Sequence, residues 1–523
     1  MPVARTHAYP DTTQKSGGFV NINGFGVRAL LLAACMGTVA PTTAMAASDY
    51  VRCDGQSKGM GVAEGLARLT LVIGTMGLLG APESDNVAER RFGTEGVAAC
   101  TAALSEGKGK RDDRRRSRLM LARAIHHVEA KELESALSDV RSFPAIGGER
   151  AADGEFLRSL ALSAIELEAA ILVRVNRPAE AEAAALRMAA QSPYDIQNLL
   201  RAQQYLRPDG AMDGARRGFY ANFVRLAPQA RLELAEAQEW AGDFAGAAAT
   251  LAGLVALVEG DTVAANILAQ IAIQHILGGN IPVGEAQIAL ARRANDDRAA
   301  AISGADSQRE KDAVARTDEL LEFARIATLA RQGRIDDARL IFSARARWLA
   351  PSVPAVAHLT ALLREGAAPT QLQGALARDP QQLRADAIKA HYEALTNEAA
   401  TKRLYATIRP ILTDGDYSRL SAGVRQTTDS KYLQIKRDDK RGEVLIVQGG
   451  NGIAGGEALL LHAAYLAKKR GSTGFVILPM RVSTTSARIV FEKPGESALP
   501  ADAYFDSAEL IAALDARFPM PAK

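Results

Sequence analysis

Between residues 61 and 388 the apolar side chains return at i, i+3, i+4 and i+7, in stretches punctuated by Gly, Pro, Asn and Asp. That period commits most of the chain to helices. Aromatic residues make up only 5% of the 523, with two Trp, so large rings cannot space the helices apart. Ala recurs instead, and its small side chain favours the helix while letting neighbouring backbones approach. The expectation is a mainly α fold of closely packed helices. The 48% hydrophobic and 24% charged fractions exclude a disordered chain, a collagen-like chain and a polytopic membrane protein.

Many helical stretches fall into pairs around a short turn. Residues 232–257 (LELAEAQEWAGDFAGAAATLAGLVAL) place Ala235, Ala247 and Ala248 at the expected crossing, with Gly242-Asp243 as the turn. Residues 320–351 repeat the plan with Gly333-Arg334, Ala338, Phe342 and a terminating Pro351. The spacing resembles tetratricopeptide repeats: a turn Gly, an apolar residue two later, an Ala five after the Gly and a large apolar residue four further on. Gly242, Phe244, Ala247 and Leu251 fit it, as do Gly333, Ile335, Ala338 and Phe342. Weaker copies are Asn176, Pro178, Ala181 and Ala185, followed by Pro193, and Ala124, Leu133, Ala136 and Val140. The Ala positions fall at 136, 181, 247 and 338, gaps of 45, 66 and 91 residues, where tandem units recur about every 34.

The resemblance therefore implies an irregular tetratricopeptide-like α-solenoid over residues 47–400, with degenerate units such as 267–294 around Gly278-Gly279-Asn280. Each hairpin has an apolar face that it cannot bury alone, so stacking completes the core and leaves a concave surface of the kind that holds a peptide or protein partner. The polar stretches 296–312 and 366–379 read as surface connections.

The N-terminal 46 residues carry an address. Arg28 precedes the apolar run 29–39 (ALLLAACMGTV), then Pro41 and Ala44-Met45-Ala46 before Ala47, the order of a secretory signal peptide cleaved between Ala46 and Ala47. The run is too short to span a membrane. The residues before Arg28 are long and polar for such a leader, and a start at Val27 is one reading of them. A competing reading takes Leu32-Ala33-Ala34-Cys35 as a lipobox, in which acylated Cys35 would associate the protein with a membrane. Export to a Gram-negative-type envelope, periplasmic or secreted, is expected.

Without Cys35, only Cys53 and Cys100 remain, an even pair in an oxidising compartment. A disulfide between them would close a loop of about 48 residues and contribute roughly 3–4 kcal/mol; the alternative is two buried thiols. The segment around Cys100 (AACTAAL) also resembles the opening repeat of secreted repeat proteins. Lys+Arg 63 against Asp+Glu 60 gives +3, too little for a polyanion-binding field. The basic run 108–118 (KGKRDDRRRSR) is broken by Asp112 and Asp113 and has no aromatic residues to stack bases, so no nucleic acid is expected as a partner.

After residue 400 the texture changes. Residues 404–412, 432–436, 443–448, 474–482 and 486–491 read as strands rich in Val, Ile and Tyr. Residues 456–469 and 507–518 read as helices, the second capped by Ser507 or Asp506. A small C-terminal α+β domain over 401–523 is expected, loosely similar to small domains of bacterial envelope lipoproteins in which a helix packs on a long β-hairpin.

One motif could carry chemistry. In residues 444–459 (VLIVQGGNGIAGGEAL) a strand leads through Gly450, Gly452 and Gly455 into a helix, the order of a Rossmann phosphate loop. No acidic residue ends the next strand and no Lys-Ser/Thr follows, so the other reading is a turn and helix start. HExxH, GxSxG and ligand-spaced His clusters are missing from the sequence. The seven His (His7, His126, His127, His275, His358, His391 and His462) read as packed or surface residues, with His127 in the core position that the repeat family gives to a Tyr-sized side chain. A caspase-like domain can follow such solenoids, but no Cys lies after residue 100.

The expectation is an exported, non-catalytic scaffold that uses no cofactor or metal and binds a protein or peptide through the concave face of its array. One alternative is a nucleotide or small-anion binding protein or enzyme using Gly450, Gly452 and Gly455. A third is a lipid-anchored envelope assembly lipoprotein.

Overall fold

The computed structural model describes residues 47–57, 86–106, 113–146, 156–258, 264–302, 307–410, 414–426, 428, 433–438, 442–447, 452–478, 486–491 and 499–518. Two compact units divide the chain at residue 91. In the first, α1 (Asp49–Asp54) is capped by Ser48 and ends at Gly55, whose φ of 79° only Gly adopts freely. A side chain there would also meet Val87 Cα at 2.9 Å. Arg91 N–H donates to Arg52 O at 2.8 Å and Asn86 N–H to Gly55 O at 2.9 Å, tying the 3₁₀ turn Val87–Glu89 to α1.

The second unit opens with α2 (Gly93–Glu106), α3 (Asp113–Glu129), α4 (Leu133–Ile146), α5 (Leu162–Arg174) and α6 (Pro178–Gln191). Then come α7 (Ile196–Gln203), α8 (Gly214–Leu226), α9 (Arg231–Trp240), α10 (Phe244–Leu257) and α11 (Ala265–Leu277). The helical part closes with α12 (Ile281–Ala300), α13 (Ser307–Arg331), α14 (Ile335–Ser343), α15 (Val353–Arg364), α16 (Pro380–Thr396) and the short α17 (Glu398–Lys402).

A single turn chemistry joins α3 to α4, α5 to α6, α9 to α10, α11 to α12 and α13 to α14. Lys131, Asn176, Gly242, Gly279 and Gly333 all have positive φ. Each donates its N–H to the carbonyl three back, and the next residue donates to the carbonyl five back of itself, as Asp243 does to Gln238 at 2.8 Å. This is the Schellman termination, which satisfies helix-end carbonyls and reverses the chain. Five residues after each turn residue stands a small buried one: Ala136, Ala181, Ala247, Gly284 and Ala338. At Gly284 a Cβ would lie 2.4 Å from Ile276. Consecutive helices pack on one another, and a continuous apolar core runs through α11, α13, α14 and α15 with Phe323, Phe342 and Trp348 at its centre.

Two sequence readings are corrected. Most of 296–312 is helix: α12 runs through Ala300 and α13 starts at Ser307, with 303–306 outside the described residues. Its polar residues pair across the two helices, Arg298 with Glu310 at 2.7 Å and Asn295 with Asp318 at 2.8 Å, so polarity marks a solvated helical hairpin rather than a loop. Residues 404–407 are a 3₁₀ turn, not a strand, because their backbone and side chains are engaged by helices instead of a sheet. The segment 366–379 is, as expected, a connection without α-helix, built from two 3₁₀ turns.

After α18 (Asp414–Val424) come β1 (Leu433–Asp438), β2 (Gly442–Val447), α19 (Gly452–Lys469), β3 (Gly474–Leu478), β4 (Ser486–Val490), β5 (Tyr504–Asp506) and α20 (Ser507–Leu514). The sheet order is β1-β2-β4-β3-β5, with every neighbouring pair antiparallel. β2 and β3 thus run parallel with β4 between them, a split β–α–β arrangement. Each residue of β3 is buried because both faces are covered. α19 contacts β2, β3 and β4, while Val476 and Leu478 pack with Leu257 of α10 and Ala503. The helices and this sheet belong to the same compact unit.

Lys131 holds a left-handed conformation at a cost that Gly avoids. Lys131→Gly should raise stability by about 0.5–1 kcal/mol, and Gly333→Ala, at φ 83°, should lower it by about 1 kcal/mol. Denaturant midpoints measured at constant slope check both; equal midpoints for the two variants would refute this account of the turns.

Candidate functional site

The chain from the end of α17 to Arg409 contacts α3, α5 and α7. Arg174, at the end of α5, reaches Thr401 Oγ1 at 3.4 Å. Tyr405 Oη and His126 Nε2 of α3 are 2.8 Å apart, and His126 Nδ1 meets Glu129 at 2.7 Å. Arg201 of α7 donates to Ala406 O at 3.1 Å. Arg409 N–H donates to Ser163 Oγ at 2.9 Å, and its Nη2 reaches Asn198 Oδ1 at 3.0 Å and Glu166 Oε2 at 3.2 Å. Glu166 is buried and also accepts from Arg201 at 3.1 Å, so one carboxylate is shared between two guanidinium groups.

A second buried carboxylate sits on α19. Glu457 accepts from Tyr417 Oη at 2.9 Å and from Arg517, and Arg158 Nε lies 3.9 Å away. Arg158 is presented by a π-turn, Leu157–Ala161, ahead of α5, and its guanidinium lies 4.8 Å from the Tyr417 ring centroid. Burial, together with the Glu457 charge, raises the Tyr417 phenol far above its ordinary value and keeps it a neutral donor.

The same π-turn edges a groove of about 350 Å³ between α4, α5 and α6. Its walls are mostly apolar, with Phe143 and Phe156 stacked at 5.4 Å and Val140, Ala164 and Ile165 beside them. Glu168 crosses the rim, meeting Arg187 at 2.7 Å and Arg141 at 3.3 Å.

The sequence-derived sites are distributed as follows. Cys53 in the first unit and Cys100 in the second are both disulfide-bonded and fully buried. Of the glycine motif, Gly450 lies outside the described residues; Gly452 opens α19 and Gly455 stands in its first turn. Ala47 is the first residue described, while Ala46, Cys35 and the rest of 1–46 lie outside. The core histidine of α3 is His126, fully buried, rather than His127, which is partly exposed and paired with Glu132 at 2.7 Å. Gly96 of α2 makes the room: a Cβ there would stand 2.4 Å from the His126 ring. Among the described residues no group of His, Cys, Asp and Glu could hold a metal ion, and no helix is long and apolar enough to cross a membrane.

Sequence reasoning missed Glu166, Arg409, Tyr405 and Glu457, since each is an isolated polar residue whose partner lies far along the chain. The one available signal was a carboxylate inside a strongly apolar helix, Glu166 in ALSAIELEAAILV and Glu457 in GGEALLL. No protein-family model matches the chain, and no curated protein or solved structure matches it.

Beside Arg409 lies Asp195, whose Oδ1 caps α7 by accepting from Gln197 N–H at 3.0 Å. Burial pushes its carboxyl up to about 6, against the pull of Arg409. The folded state therefore holds a proton that the unfolded state releases between about pH 4 and 6, so this carboxylate costs stability at neutral pH and the cost fades as the pH falls. Asp195→Asn keeps the cap. It should raise stability at pH 7 by up to about 3 kcal/mol. The gain should vanish by about pH 4. Melting curves across that window check this; a gain that grows on acidification would refute it.

Proposed function

We propose that this protein is an exported, non-catalytic scaffold whose helical hairpins stack as an irregular tetratricopeptide-like solenoid and hold an extended segment of a protein partner. The observation that carries the reading is the shared turn. Five hairpins use the same termination and the same small buried residue five positions later, one of them the degenerate 267–294 unit. Units built alike pack alike, and stacked units present their first helices side by side. The groove beside Phe143, Phe156 and Ile165 offers such a segment an apolar floor and a charged rim. A disulfide state at Cys53 and Cys100 accords with an oxidising, extracytoplasmic compartment.

The glycine motif is the basis of the other reading, a nucleotide or small-anion site at Gly450, Gly452 and Gly455. Against it stands Glu457, a buried carboxylate on the same helix that is paired with Tyr417 and Arg517 and adds negative charge there.

The two readings separate in two measurements. Ile165→Arg, at a half-buried groove position, should fold with unchanged circular dichroism and lose co-purifying envelope proteins at least tenfold; full retention would sink the scaffold reading. A panel of nucleotides and sugar phosphates should leave the melting temperature of the full chain unchanged. A shift that Gly452→Val abolishes would establish the nucleotide reading instead.

A further inference from the structure

The turn that leads from α6 into α7 carries two buried polar side chains whose bonding is incomplete. Ser192 is fully buried, and its Oγ has no hydrogen-bond partner among the described residues. Asp195 spends Oδ1 on the Gln197 N–H, while its buried Oδ2 has no partner either. A third such atom is Arg409 Nη1, on a guanidinium whose Nη2 donates to Asn198 Oδ1 at 3.0 Å and lies 3.2 Å from Glu166 Oε2.

Short bonds gather the residues that carry these atoms. Asp195 N–H donates to Ser192 O at 3.3 Å, and Asn198, which holds Arg409, donates its Nδ2 to the same carbonyl at 3.4 Å. Asp195 and Arg409 also feel each other's charge: the guanidinium pulls the carboxyl down and the carboxylate raises the guanidinium, both against burial. Opposite charges buried in such proximity ordinarily pair directly. Asp195 Oδ2 and Arg409 Nη1 nevertheless do not bond to each other, so more than a hydrogen-bond length separates them. Protein interiors meet polar groups left in this way with ordered water.

We infer that Ser192, Asp195 and Arg409 form a binding site for one ordered water molecule, which accepts from Arg409 Nη1 and Ser192 Oγ and donates to Asp195 Oδ2. Three hydrogen bonds are what a buried water typically makes. The mixture of donors and acceptor selects water over an ion. A halide would suit the guanidinium and the hydroxyl but would face the Asp195 carboxylate, with Glu457 of α19, which packs against α7, adding a second negative charge. A small cation would suit the carboxylate and face Arg409 instead. The water ties the α6–α7 turn to Arg409 and joins Asp195 by bonds to the pair that Arg409 makes with Glu166.

Two experiments on the full chain decide it, and neither depends on what the groove holds. A crystal structure that resolves ordered solvent should show one peak within hydrogen-bond distance of all three atoms, and crystals grown in bromide should show no anomalous signal there. Lack of density at that point, a bromide peak, or an Asp195 carboxylate turned directly onto Arg409 overturns the inference. In solution, Ser192→Val puts a methyl group where the water sits and removes a donor that steadies the Asp195 charge. Around Asp195 the charged groups are Arg409 and Glu457, with Glu166 and Arg201 beyond Arg409. The variant should therefore lose melting temperature, and lose more at about pH 7 than at about pH 4, where Asp195 is protonated. Asp195→Asn beneath it should abolish that pH dependence. An equal loss at both pH values, or a pH dependence that survives Asp195→Asn, also overturns the inference. Should Ser192→Val fail to fold, the crystal structure decides alone.

Discussion

Two buried carboxylates, Glu166 on α5 and Glu457 on α19, fix where the rest of this chain can go. A carboxylate removed from water must be met by cations and donors, because stripping a partner from such a pair costs about 3–5 kcal/mol. Glu166 is met by Arg201 and, from more than 200 residues away, by Arg409. Glu457 is met by Tyr417, Arg517 and, from the helical side, Arg158. The helical hairpins and the C-terminal sheet are thus coupled by contacts that cannot be given up singly. The apolar contact of Leu257 with Val476 and Leu478 lies along the same junction.

The alanines explain how the helical side is built with so few rings. A fully buried Ala or Gly five residues past each turn lets the second helix close on the first, and the Schellman termination sets the angle at which it returns. The aromatic residues are then concentrated where close approach is not needed: Phe323, Phe342 and Trp348 in the α13–α15 core, Phe475 stacked on Phe505 in the sheet.

Much of this was legible. Helix period, the turns at Gly242 and Gly333, the buried Ala247 and Ala338, four of the strands and the α19 helix follow from local pattern, because each is decided by residues within a few positions. The misreadings share a cause. Residues 404–409 have the Tyr, Thr and Ile of a strand, but Arg201, His126 and Glu166 engage them first. Residues 296–302 have the charge of a loop, but Arg298 and Asn295 find partners across a helical hairpin. At α3 a shift of one residue, from His127 to His126, follows from the space that Gly96 leaves on the neighbouring helix. Of the candidate site, only the cysteines and glycines were visible beforehand. The carboxylates and arginines were not, since a buried ion pair is a long-range fact with no local spacing.

If the two carboxylates make the helices and the sheet one cooperative structure, the parts must unfold together. The two Trp, Trp240 and Trp348, both report from the helical side. Denaturant unfolding followed by their fluorescence and, in the same samples, by pulse-labelled hydrogen exchange of β2, β3 and β4 should give one coincident midpoint. Strands that lose protection at a lower denaturant concentration than the Trp signal would contradict the coupling.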